Sequence, residues 1–260
     1  MTSAADAYDD LMSFARQLAD TARPVSMRYF RQRLSIDQKT DDSPVTVADR
    51  NTETALRDLI RQRFPEHGIY GEEHGQTRLD QRLIWVLDPI DGTKSFITGT
   101  PLFGTLIALL DAGVPKVGVI DMPALNERWI GADGNSEFNG ERCQTRSCRT
   151  LAEASLALTT PDMFDQTDGQ RFQKVADRVR FRRFGGDCYN YGLLASGFID
   201  LVIEADTQPY DYLPLVTIIE GAGGVISDWD GNPLGLNSDG RVVAAATAEL
   251  HHQALTLLNG

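Results

Sequence analysis

The chain has 260 residues, 42% hydrophobic and 24% charged, the balance of a globular protein. At about 150 residues per domain its length falls between one large domain and two lobes. Against 37 acidic residues stand 25 basic ones, a net charge of −12, which argues against non-specific binding to nucleic acid or to an anionic membrane. Three cysteines cannot make a disulfide framework, and no apolar run approaches the roughly 20 residues that span a bilayer. Met1 to Asp10 is acidic and lacks a basic n-region, so a cytoplasmic protein is expected.

The first helix is read from Tyr8, Leu11, Met12, Ala15, Leu18, Ala19 and Ala22, one apolar stripe expected to end before Pro24. Gln38 to Pro44 is polar and reads as an exposed loop. A second helix follows with Ala48, Ala55, Leu56, Leu59 and Ile60 inward, stopped by Pro65. Leu83 to Leu87 suits a buried strand. Thr105 to Leu110, a turn at Asp111-Ala112-Gly113 and Val117 to Ile120 read as a hairpin, and Arg128 to Gly131 adds a strand. Beyond a soft lobe boundary near Asn135, strands are expected at Ser155 to Leu158, Phe198 to Glu204, Gly224 to Ser227 and Arg241 to Ala246. Helices are expected at Tyr189 to Ser196, Leu213 to Glu220 and Ala248 to Leu258. With no internal repeat and no long linker, the pattern favours a layered α/β sandwich forming a single domain over 1–260.

The sharpest local signal is WVLDPIDGTKSF, Trp85 to Phe96. Asp88 and Asp91 lie at the end of a buried strand, Pro89 fixes the turn, and Gly92 allows close backbone approach. Two carboxylates three residues apart in such a turn can converge on one cation or share two. Thr93 stands where a helix can begin, with backbone N–H groups open to an anion. Hard oxygen ligands beside such a turn suit a magnesium-assisted phosphate site. The same residues also suit a plain Asp-Pro turn with both acids solvated. Glu72 and Glu73, in Gly71-Glu72-Glu73-His74-Gly75, lie on a loop upstream, where Glu73 reads as ordinary surface. Asp211 precedes an apolar helix and also suits an N-cap.

In the order GEE at 71–73, WVLDPIDGTKSF at 85–96 and the stretch from Gly185 to Gly224, the chain resembles the inositol monophosphatase family of magnesium-dependent, lithium-sensitive phosphatases. The resemblance implies a mixed α/β, five-layer αβαβα sandwich of the inositol monophosphatase and fructose-1,6-bisphosphatase type, usually a homodimer. It implies two or three Mg2+ per site. Glu72, Asp88 and the carbonyl of Ile90 would hold the first, Asp88, Asp91 and Asp211 the second, and Glu72 a third, looser one. Thr93 would orient the attacking water, with Asp49 accepting from its hydroxyl. Glu72 counts with both as catalytic, and the backbone of Gly92 and Thr93 would hold phosphate oxygens. Lys39, Asp41 and Asp42, on the loop before Asp49, are left unassigned.

The substrate-side stretches, Phe184 to Tyr189 and Glu204 to Asp211, are similar to the histidinol-phosphate phosphatase branch of that family. They add Gly186, Asp187 and Glu204, with Asp211, as substrate contacts. For Asp187, an N-cap on the helix at Tyr189 is the plainer alternative. The expected activity is hydrolysis of L-histidinol phosphate in histidine biosynthesis by metal-activated water. Inositol monophosphate or a nucleotide 3′-phosphate is the nearest rival substrate, and a non-catalytic metal- or phosphate-binding module is a remoter one. Cys143 and Cys148 lack the partners a zinc site wants. Gly221, Gly223 and Gly224 lead into a strand rather than out of one, against a dinucleotide loop.

Overall fold

The computed structural model describes residues 4–33, 37–38 and 44–260. The expected loop from Gln38 to Pro44 therefore lies largely outside the described residues, with Lys39, Asp41 and Asp42 in it. Seven helices are described: α1 (Ala4–Tyr29), α2 (Val47–Arg63), α3 (Thr93–Ile97), α4 (Gln166–Ala176), α5 (Tyr189–Ala195), α6 (Pro209–Gly221) and α7 (Ala248–Asn259). The strands are β1 (Asp37–Gln38), β2 (Pro44–Val45), β3 (Gly68–Gly71), β4 (Gly75–Thr77), β5 (Leu83–Asp91), β6 (Gly104–Asp111), β7 (Val114–Met122) and β8 (Glu127–Ala132). They continue with β9 (Asn135–Phe138), β10 (Glu141–Arg142), β11 (Ser155–Leu158), β12 (Phe181–Phe184), β13 (Leu201–Glu204), β14 (Val225–Ser227) and β15 (Val242–Ala245).

The strands make an eight-stranded sheet, order β10-β9-β8-β7-β6-β5-β3-β4, a five-stranded sheet, order β12-β11-β13-β15-β14, and a small β1-β2 pair. In the larger sheet only β3 and β5 run parallel; in the smaller, β11 is parallel to both its neighbours. One core packs α1 and α2 on the outer face of the large sheet through Leu18, Leu56, Trp85 and Leu109. A second fills the space between the sheets with α5 and α6, through Tyr191, Leu213, Ile218 and Val202. A third sets α4 and α7 on the far face of the small sheet through Phe172, Val243 and Leu250. The result is the expected αβαβα sandwich. Among the described residues, no helix is long and apolar enough to cross a membrane.

Contact between α6 and the large sheet is unusually close. A Cβ on Gly118 would lie 1.9 Å from the carbonyl oxygen of Pro214, and one on Gly131 would lie 2.3 Å from the backbone of Thr217. Only glycine lets the helix backbone rest on the strands.

Several sequence expectations are corrected. The first helix runs through Pro24 to Tyr29. Pro24 and Asp20, whose carbonyl loses its donor, both lie on the exposed side of the helix, where hydration can replace the lost bond. Arg23 meanwhile binds the fully buried Asp121 at 2.9 Å and holds the later turns onto β7. On α2, Ala55 and Leu59 are only half-buried, and the inward face carries Asp49, Thr52, Glu53 and Arg57 beside Ala48, Leu56 and Ile60. Strand β13 begins at Leu201, not Phe198. The Asp200 carboxylate accepts from the amide and hydroxyl of Ser155 and from Arg146, while Phe198 is exposed. The boundary expected near Asn135 falls inside the large sheet, because β9 and β10 still pair at its edge.

Candidate active site

Strand β5 delivers the first acids. Its pairing with β6 shifts register between Asp88 and Asp91, so the strand end bulges and both carboxylates turn to one side. The amide of Ile90 donates to Asp88 Oδ1 at 3.0 Å, and the Ile90 carbonyl accepts from the Thr93 hydroxyl at 3.1 Å. Gly92 then takes a left-handed φ of 80°. A Cβ there would stand 3.0 Å from both Asp187 Oδ2 and the Leu102 carbonyl, which explains glycine at the turn.

Helix α6 supplies the next acid from the second half of the chain. Pro209 occupies its first turn, where a missing N–H costs nothing. Asp211 is therefore inside the helix rather than ahead of it, and its Oδ2 accepts from the amide of Gln208 at 2.7 Å. The expected N-cap role is thus corrected to a first-turn one. Ligand oxygens of Asp88, Asp91 and Asp211 all lie within 4.8 Å of one another, the sole such group of potential metal ligands among the described residues.

Electrostatics report how crowded the cluster is. Burial holds the Asp88 carboxyl well above its usual range, and Glu72, Asp91 and Asp211 push it the same way. Asp91 is pushed up to about 7 by burial and then by Asp187, against the lowering pull of Cys188. Asp211 is raised by burial, then by Asp91, with Glu72 and Glu204 adding to it. Four carboxyl groups that disfavour one another's charge will release protons to a cation. The donors are hard oxygens, suited to magnesium, calcium or manganese rather than zinc. Cys188 sits beside them, yet burial and Asp91 hold its thiol well above the usual range, so it offers no thiolate.

The remaining expected residues divide. Glu72 lies against Asp88, and with Gly92, Thr93, Asp187 and Asp211 it lines a pocket of about 470 Å³. An adjoining pocket of about 160 Å³ is lined by Asp91, Asp187, Glu204, Asp206 and Asp211. Asp187 faces both. It caps nothing: the helix N-cap is Cys188, which makes no side-chain cap bond, while Asp187 accepts from the Ser95 hydroxyl at 3.3 Å. Burial raises its carboxyl to about 6, with Ser95 and Lys94 opposing. Its φ of 47° is left-handed, a strained setting for a non-glycine residue.

Glu204 is engaged at both oxygens. Oε1 accepts from the Thr159 amide at 2.8 Å and hydroxyl at 2.7 Å, and Oε2 from the Tyr191 hydroxyl at 2.9 Å. Asp49 is 1% exposed and accepts from both the amide and the hydroxyl of Thr46, at 2.9 and 2.6 Å. Gly186 forms part of the turn before Asp187, with φ 123°. Sequence reasoning missed Ser95, Thr159 and Asp206, which line the pockets. Only their spacing from Asp91, Leu158 and Glu204 could have flagged them. Ser227 and His251 also pair, at 2.9 Å, but both are buried and the serine hydroxyl lies 2.6 Å from the Asp228 carbonyl, as its donor.

The sequence profile of the inositol monophosphatase family matches residues 7–259. The bifunctional phosphatase IMPL2 of Arabidopsis thaliana chloroplasts is 47% identical over 96% of this chain and 75% of its own length. A histidinol-phosphatase of Mycobacterium tuberculosis is 36% identical over 97% of this chain and 98% of its own. The solved structure of an inositol monophosphatase from Zymomonas mobilis superposes with a TM-score of 0.90 at 46% identity, covering both chains completely. A layered fold and a match along nearly the whole length agree, and the chain belongs to the inositol monophosphatase family.

Proposed function

We propose that the chain is a magnesium-dependent phosphomonoesterase acting on L-histidinol phosphate. Phosphatase activity comes with the family, whose enzymes are metal-dependent. Bound magnesium would supply Lewis acidity and a more acidic water. The ligands proposed for it are Glu72, Asp88, the Ile90 carbonyl, Asp91 and Asp211, two or three ions sharing them. Thr93 positions the attacking water with a hydroxyl placed beside the Ile90 carbonyl. Asp49, buried at the start of α2 where it accepts from Thr46, is proposed to take the Thr93 proton once that hydroxyl turns from the Ile90 carbonyl. Gly92 and Thr93 line the pocket, and their backbone amides are proposed to receive the phosphate oxygens.

The single observation that carries the substrate is the place of Asp187. It stands between the two pockets, off the metal cluster, with its carboxylate turned from any capping role. A cationic alcohol such as histidinol brings an ammonium and an imidazole that such a carboxylate can receive. Relatives described as histidinol-phosphatases, at 34 and 36% identity, support the same reading. Inositol phosphate stands second, favoured by the solved relative at 46% identity. Phosphate release from histidinol phosphate, inositol 1-phosphate and adenosine 3′-phosphate, each with and without magnesium, tests both. Histidinol phosphate should show the highest kcat/KM, and preference for another ester overturns the substrate assignment.

A further inference from the structure

An i,i+4 Glu–Arg pair on a helix is ordinarily a solvated surface contact. On α2 the pair Glu53–Arg57 is buried instead, at 0% and 2% exposure, with Arg57 Nε 2.6 Å from Glu53 Oε1. Burying two charges is a poor route to stability, because desolvation offsets their attraction unless their remaining atoms find partners. Those partners identify what the pair holds.

Glu53 Oε2 accepts from the amide of Glu73 at 2.6 Å, and Oε1 from the amide of His74 at 3.2 Å. Arg57 donates to the carbonyl of Gly75 and, at 3.4 Å, to the Thr77 hydroxyl. Glu53 thus holds the turn just after Glu72, and Arg57 holds strand β4, which that turn leads into. On its other side, Glu72 is fixed by its own amide donating to the Leu87 carbonyl at 3.2 Å, next to Asp88. The pair passes directly beneath the loop: a Cβ on Gly71 would stand 2.0 Å from Glu53 Oε1. Helix α2 is itself locked on the large sheet by Leu56 and Ile60, and it carries Asp49 one turn before Glu53.

We propose that the buried Glu53–Arg57 pair is a positioning device that sets Glu72 against Asp88, so that one helix registers both Asp49 and Glu72 in the site. This rests on the metal-phosphatase reading above. Neither residue touches metal or substrate; both act through Glu72.

The test is magnesium binding by calorimetry on the whole protein without substrate, in the parent, Glu53→Gln, Glu72→Gln and the double variant. Glu53→Gln should weaken magnesium about tenfold in the parent, the usual effect of disturbing a group that orients a ligand. In the Glu72→Gln background the same change should cost less than about twofold, because coupled sites are non-additive. Equal losses in both backgrounds, or none, overturn the proposal. If Glu53→Gln fails to fold, Arg57→Lys keeps the charge pair but gives up the second nitrogen on the loop, and it should show a smaller loss with the same non-additivity. Additive losses there overturn the proposal equally. Amide exchange at Glu73 and His74 separates this from the parent reading. A parent protein that binds no magnesium defeats the metal reading, while unchanged protection in Glu53→Gln defeats the positioning pair.

Discussion

The backbone amide of Cys188 donates to the Asp91 carboxylate at 2.7 Å, joining residues 97 apart in sequence. The first sheet thus delivers an acid whose orientation is set by the start of α5, an element of the second half. The amide fixes the Asp91 carboxylate through Oδ2, and the same carboxylate lies within 4.8 Å of the oxygens of Asp88 and Asp211. The site is assembled across the layers rather than within either sheet.

Asp88→Asn should abolish turnover and leave the fold intact. The isostere keeps the acceptor for the Ile90 amide but removes charge from the most buried acid of the cluster. Phosphate release and circular dichroism measured together check this. Near-normal activity at ordinary magnesium concentrations would refute the metal assignment.

Thr93→Ala should spare metal affinity and lower kcat. It removes a hydroxyl but no charge, and loss of one positioning contact is worth about 2.7–4 kcal/mol, or about 10²–10³ in rate. Calorimetry beside steady-state kinetics separates the two effects. An unchanged kcat with a shifted KM would make Thr93 a substrate contact.

Asp187→Asn should raise KM for histidinol phosphate roughly ten- to a hundred-fold, since a charge-assisted bond contributes about 1.5–3 kcal/mol. Hydrolysis of a small ester with an uncharged alcohol should barely change. Equal losses on both substrates would assign Asp187 to holding Ser95 and the Gly92 turn, which it also touches.

The metal-free protein should be more stable at pH 5.5 than at pH 7.5. An acid whose folded-state pKa is raised holds its proton more tightly in the folded chain. Stability therefore declines as pH climbs, for Asp91 from its unfolded value of 3.8 to about 7 and for Asp187 from 3.8 to about 6. The acids held low, Asp200 and Asp239, act below that window. Thermal melts in chelator should show Tm lower by about 5 °C or more at the higher pH. Magnesium should raise Tm more at pH 7.5 than at pH 5.5, because it binds the ionised cluster. His67 and His251, both lowered by burial, act oppositely below pH 6.5, so a profile flat between pH 6.5 and 7.5 in chelator would mean that the acids do not repel one another as their geometry implies.

Much of this architecture was legible because its signals are local. Leu83 to Leu87 reads as a buried strand, the hairpin around Asp111-Ala112-Gly113 has its turn residues, and Asp88-Pro89-Ile90-Asp91-Gly92-Thr93 writes the bulged turn almost residue by residue. What escaped depends on tertiary context. Strand β12 reads Phe-Arg-Arg-Phe and is exposed throughout, placed in the sheet by parallel pairing with β11. Helix α1 passes Pro24 because Arg23 finds Asp121 on a distant strand. Glu53 and Arg57 look like a surface pair until the loop they hold is folded above them. For Asp187, expected as a substrate contact with an N-cap as the alternative, the sequence did not show the left-handed backbone that turns the carboxylate toward the Gly92 turn.

The glycine floor under α6 has a mechanical consequence. Gly118 and Gly131 leave no gap between that helix and the large sheet, while the opposite side of α6 belongs to the core shared with the small sheet. A hinge between the two halves would have to tear the helix from one wall, dragging Asp211 out of register with Asp88.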